Sequence, residues 1–146
     1  MFANRFSLYD VEFNESAVAF NMANSLPVRY YENVETMAVA LQVIEESLGI
    51  TLPLVSWYMS EEVLRELCRQ NYLKDCVANR LPVNAATYLN YVKSNLHNTG
   101  QMVKLRRWPN DVKDLEPHKS RLNIEFFKHH ISISDFGEHG GTNESS

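Results

Sequence analysis

Residues 74–91 read KDCVANRLPVNAATYLNY, and the fold turns on how this stretch is read. Counting Lys74 as the first position, Val77 and Ala78 stand fourth and fifth, Leu81 eighth, Val83 tenth, Tyr88 fifteenth and Tyr91 eighteenth. Apolar residues at those offsets, with a small one at the fifth, let a second helix cross a first and keep one of its own faces free. Leu81-Pro82-Val83 breaks the first helix, because proline lacks the N–H and its ring meets the preceding turn. Asn84 then stands where an N-cap belongs. The ninth position, where such a turn usually bends at glycine, holds Pro82, which cannot take glycine's left-handed backbone.

Upstream, a helix runs from about Ser56 or Ser60 to about Gln70, and Ser60 is a good N-cap for it. Glu61 and Glu62 favour the positive end of its dipole, and Val63, Leu64, Leu67 and Cys68 form its buried face. A separate helix runs over residues 72–80 through Leu73, Cys76 and Val77. Downstream, the helix from Asn84 is expected to reach about His97, with Tyr88, Tyr91, Val92 and Leu96 on periodic positions and Gly100 as its close. After Gly100 the period changes from 3.6 towards 2. Residues 101–108 read as a strand, and Pro109-Asn110-Asp111 as a turn. The segment to Ser120 is polar and basic. Residues 121–133 read as a second strand, with a bulge where the apolar face switches at Phe126-Phe127.

The N-terminal part has a different character. Residues 5–13 alternate loosely and are rich in aromatics, which suggests a strand. Residues 16–24 suit either a strand or a short helix. Asn33 caps a helix that ends before Gly49, with Met37, Leu41, Ile44 and Leu48 as one apolar stripe. The stripe serves as domain core or as a dimer seam, and core is the preferred reading. The expected fold is therefore α+β: an N-terminal strand–helix part over residues 1–54, a three-helix module with a C-terminal β-hairpin over 55–135, and a disordered tail over 136–146.

Charge is distributed unevenly. Residues 61–131 hold twelve of the fourteen Lys and Arg against eight acids, a net +4. Residues 1–60 carry a net −5 and the segment from Ser132 a net −3. Basic charge gathered on a helical module suits a nucleic-acid partner, because phosphate neutralisation supplies much of the binding energy. Cys68 and Cys76 are spaced for neither zinc nor a disulfide framework, and read as buried thiols in a reducing compartment. No run of about 18 apolar residues is present, so no membrane span is expected, and the expected location is the cytoplasm. No phosphate-binding glycine loop, metalloprotease helix or nucleophile elbow appears, and no cofactor, metal or enzymatic activity is expected.

The stretch from residue 56 to 133 resembles the helix-turn-helix of bacterial transcription regulators, and with its hairpin looks like their winged-helix class. It is similar in the same way to the small enterobacterial activators of carnitine-operon type, with an Arg-Leu before the second strand at Arg121-Leu122. The resemblance implies sequence-specific binding of double-stranded DNA by the helix from Asn84, with the hairpin on a flanking groove or backbone. On that reading Asn84, Ala85, Thr87 and Asn90 face base edges, Lys74 and Lys93 hold phosphates, and Lys104, Arg106 and Arg107 stand near the wing. Lys113, His118, Lys119 and Arg121 extend the basic surface. The N-terminal part is expected to dimerise or to receive a protein signal.

The rival reading is a small inhibitor or adaptor, of phage or plasmid type, that binds a host protein and no DNA. The acidic residues 1–60 suit a basic protein partner, and Phe2, Phe6, Tyr9, Tyr30 and Tyr31 are candidate aromatic anchors.

Overall fold

Near the N-terminus, hydrogen bonds between polar side chains and nearby backbone set the local structure. Ser7 Oγ accepts from the Asp10 N–H at 3.1 Å while Asp10 Oδ2 accepts from the Ser7 N–H at 2.9 Å. This reciprocal cap starts helix α1, Leu8–Glu12, where a strand was expected. Asn14 caps α2, Glu15–Ala19, which decides the ambiguous segment in favour of a helix. A 3-10 turn at Val28–Tyr30 leads into α3, Tyr31–Leu48, closed by Gly49 in the left-handed conformation at φ 68°. These features come from a computed structural model, which describes residues 1–93 and 99–135.

After α3 the chain forms strand β1, Leu54–Ser56, then helix α4, Glu61–Ala78. Ser60 caps α4 as expected, with its Oγ accepting from the Val63 N–H at 3.2 Å. The two helices expected over 60–80 are one, because Gln70-Asn71 contains no breaker. Helix α5, Ala85–Lys93, starts at Asn84, whose Oδ1 accepts from the N–H groups of Ala86 and Thr87. Strand β2, Met102–Arg106, lies inside the expected strand. Helix α6, Asp111–Leu115, and a 3-10 turn, Glu116–His118, occupy the expected polar loop. The second expected strand is two: β3, Leu122–Phe126, and β4, His130–Asp135. The face switch at Phe126-Phe127 is thus a chain reversal and not a bulge, closed by the Phe127 N–H on His130 O at 2.8 Å. The expected extension of α5 to His97 and the expected tail over 136–146 lie outside the described residues.

The strands form one antiparallel sheet in the order β1-β2-β4-β3. One face carries Val103, Leu105, Ile131 and Ile133, all buried, and α3 meets the same core with Val34, Met37, Leu41 and Ile44. Burying one such side chain contributes about 1.5–3 kcal/mol. The stripe read from the sequence is therefore core. Phe2, Phe6 and Trp57 extend this core, so it draws on both sides of the expected boundary at residue 54. Strand β1 crosses that boundary, since it hydrogen-bonds to β2. Among the described residues the protein is α+β, with six α-helices and four strands. The winged helix-turn-helix arrangement is not confirmed, and its offsets are not buried as expected. Val77, Leu81 and Val83 are 80%, 60% and 64% exposed, and Ala78 is exposed too. Helices α4 and α5 meet through another set of residues. Tyr72 contacts Tyr88 and Tyr91 at ring-centroid distances of 5.5 and 5.9 Å, while Cys68, Cys76 and Val92 are buried.

Candidate partner groove

Segment 22–25 has a cleft on each side, and the two clefts share Met22, Ala23 and Ser25 in their walls. The larger, about 720 Å³, lies between this segment, Arg29-Tyr30 and the start of α4. The smaller, about 350 Å³, is lined by Tyr9, Phe13 and Val18 of α1, α2 and their connection. One side chain holds this groove together. Asn24 Nδ2 donates to Glu12 O at 2.7 Å and to Tyr58 O at 2.9 Å, and Asn24 Oδ1 accepts from the Ser60 N–H at 2.6 Å. It thereby ties α1, the loop and the cap of α4 together. Glu12 adds to this by accepting from the Leu26 N–H at 2.7 Å.

The groove's surface is apolar and acidic together. Tyr9, Val18 and Val28 are 71%, 68% and 76% exposed, and Leu8, Phe13 and Tyr31 are exposed beside them. Glu12, Glu61 and Glu62 line the two clefts against Arg29, a net −2, with Asp10 and Glu15 on the adjoining helices and Arg65 paired with Glu61 at 3.5 Å. Arg29 sits over the Tyr30 ring at 4.7 Å, an example within the chain of the cation–aromatic contact such rings favour. Burial first, then Tyr30 and the carboxylates of Glu62 and Glu61, push the Tyr58 phenol up, while Arg29 opposes the shift. Tyr58 therefore remains a proton donor at neutral pH. This arrangement can receive a basic, partly apolar segment of another chain. Of the anchors expected from the sequence, Tyr9 and Tyr31 are exposed and Tyr30 is half-buried, whereas Phe2 and Phe6 are core. The Asn24 clamp was missed, because its partners lie 12, 34 and 36 residues away.

The expected DNA-contacting residues are spread over several elements. Asn84, Ala85, Thr87 and Asn90 are exposed on α5, and Lys74 is exposed on α4. Asn84 is occupied as the cap, and Thr87 Oγ1 donates to Asn84 O at 3.0 Å and also meets the Tyr72 hydroxyl. Lys93 ends α5, and its side chain lies outside the described residues. Lys104 and Arg106 project from β2 on the face away from α3. Arg107 is spent on structure. Its guanidinium donates to both Asp111 carboxylate oxygens, at 2.6 and 3.1 Å, and to Phe127 O at 2.7 Å. That partner holds the Asp111 carboxyl below its ordinary range. Lys119 pairs with Glu116 at 3.5 Å and lies over the Phe126 ring, and Arg121 lines a small cavity with Asp135 beside α3. His118, expected on the surface, is buried. Among the described residues no cluster is placed to hold a metal ion, and no helix is long and apolar enough to cross a membrane. No protein family matches the chain, and neither characterised proteins nor solved structures yield a match.

Proposed function

We propose that this chain is a small protein-binding protein, an inhibitor or adaptor, that engages a basic partner protein through the groove around segment 22–25. The observation that carries this reading is the exposure of Tyr9 and Val18 on clefts whose charged lining, Glu12, Glu61 and Glu62 against Arg29, is net negative. Exposed aromatic and aliphatic anchors beside a cleft are the usual core of an interface, and the acidic rim selects a basic partner and speeds its approach. Site-directed photocrosslinking in the source cells tests it. A crosslinker at Val18 is expected to trap a basic protein, and the adduct is expected to disappear with Glu61→Lys/Glu62→Lys. The same adduct from a control position at Leu81, or one that survives the charge reversal, would reject the groove.

A second reading, sequence-specific binding of double-stranded DNA by α5 in a winged helix-turn-helix manner, is favoured by Asn90. Its side chain is exposed and has no hydrogen-bond partner among the described residues. An electrophoretic shift with random duplex at two salt concentrations tests it; Asn90→Ala is expected to leave that binding unchanged and to cost about 1–3 kcal/mol only on a selected specific site. No retardation at low salt ends this reading.

A further inference from the structure

Strand β2 has two faces with opposite chemistry. Val103 and Leu105 point into the core, so the pleat carries Lys104 and Arg106 to the other side of the sheet. Both are exposed, and neither has an ion-pair partner among the described residues, in contrast to Arg107 one position on. Lys104 stands in register with Ser56 on β1 and Ser132 on β4, so hydroxyl-bearing residues flank the ammonium on both sides. Arg106 stands in register with His130, and the β3–β4 reversal beside it reads Phe127-Lys128-His129. The Phe127 ring is 43% exposed and stacks on His130 with centroids 4.6 Å apart and an interplanar angle of 16°.

We propose that the exposed part of this sheet face, around Lys104 and Arg106 and with the Phe127 reversal at its end, binds single-stranded nucleic acid. Two cations two residues apart on one strand are about 7 Å apart, a spacing that successive phosphates of an extended strand can follow. Serine hydroxyls beside Lys104 add donors for phosphate oxygens. An exposed ring at the end of the path gives an unpaired base a surface to stack on, and stacking on aromatic side chains is tolerant of sequence. A duplex keeps its base faces inside the helix, so it would use the cations and leave the ring idle. Glu125, in register with Ser132 on the far side of β4, repels phosphate and confines the path to β2 and the reversal. The chain's overall −4 makes the attraction local, so binding should weaken steeply as salt screens it.

Fluorescence anisotropy with labelled oligothymidylate, oligouridylate and a random duplex is the test, at low and moderate salt. Both single strands are expected to bind at low salt, at least about tenfold more tightly than the duplex. Lys104→Glu/Arg106→Glu is expected to weaken single-strand binding at least tenfold, and Phe127→Ser about tenfold, the range for one lost stacking contact. Arg69→Glu/Arg80→Glu, two exposed cations away from this face, is expected to leave it within twofold. Thermal melts establish that each variant is folded, and Phe127→Ser, at an exposed reversal, decides the matter should the sheet variant melt early. Absence of single-strand binding, equal binding of duplex, or undiminished binding by folded Phe127→Ser overturns the proposal. None of these residues lines the groove around segment 22–25, so either proposal can fail without the other.

Discussion

Helix α3 and the α4–α5 pair both carry apolar residues at helical spacing, yet only α3 buries its whole stripe. Met37, Leu41 and Ile44 are at most 1% exposed, and Leu48 packs against the same core. On α4, α5 and the connection between them, Val63, Cys68, Cys76 and Val92 are buried while Val77, Leu81, Val83 and Leu89 are not. The cause is what lies opposite. Helix α3 faces a sheet that presents two apolar strands, whereas α4 and α5 have chiefly each other. Two helices side by side cover one face apiece, and the rest of their apolar surface stays in water. Periodicity in a sequence thus marks an apolar stripe, and only the neighbouring element decides whether it becomes core.

The largest expected effect lies where sheet, α3 and N-terminus meet. The Trp57 indole is buried edge-on to the Phe6 ring, and its Nε1 donates to Gly100 O at 2.9 Å. Trp57→Ala is expected to cost about 4 kcal/mol, a fall in Tm of roughly 12 °C by calorimetry. A loss under about 1 kcal/mol would show that the chain is not tied together there.

Next comes the direct contrast between the two regions. Leu41→Ala should cost about 3 kcal/mol in urea unfolding, and Leu81→Ala under about 0.5 kcal/mol. Equal losses would mean that the α4–α5 tip is buried in solution, by a partner copy or otherwise, and the comparison would break.

A smaller effect sharpens the picture of the body. Glu45 is buried, accepts from Arg5 Nε and Nη2 at 3.0 Å each, and accepts from the Leu52 N–H at 2.9 Å. Arg5→Ala strands that carboxylate, and the expected cost is about 2 kcal/mol, since Arg5 itself is partly solvated. Arg65→Ala on α4 removes only an exposed pair with Glu61 and should cost no more than a few tenths of a kcal/mol.

The smallest effect is a pH dependence. Both ring nitrogens of His118 are buried without a hydrogen-bond partner among the described residues. Burial, then the Arg121 charge, hold its pKa below the ordinary 6.5. Just below pH 6.5 the folded chain therefore binds fewer protons than the unfolded one. Stability is full above that value and falls as pH drops towards the lowered folded pKa. His130 is held low mainly by burial and acts in the same direction. His118→Phe should flatten, but not abolish, the decline in Tm between about pH 7 and 5. An unchanged slope would place the titration elsewhere.

Several local features were legible in the chain. Asn84 and Ser60 cap helices where the sequence places them, Gly49 ends α3, and residues 101–108 contain a strand. The caps and the helix end rest on interactions within about four residues, whereas the strand shows locally only as alternation and takes its hydrogen bonds from β1 and β4. The Ser7-x-x-Asp10 cap was equally local and was outweighed by the aromatic alternation of residues 5–13, of whose aromatics only Phe6 is core, while Tyr9 and Phe13 are exposed. Strand β1 is three residues long and gains its identity only from its pairing with β2. The groove was legible only as a charge imbalance and exposed-looking tyrosines. Its Asn24 clamp joins positions dozens of residues apart.

The sequence by itself determined the elements whose hydrogen bonds close within a turn or two, together with the acidic first part and basic middle. The tertiary structure alone decided the order of strands, which stripe became core, and which cations remain free. Arg106 and Arg107 are adjacent and chemically equal, yet the pleat sends one into solvent and the reversal of β3 on β4 hands the other to Asp111 and Phe127. That choice depends on groups brought together across the fold, and no local pattern carries it.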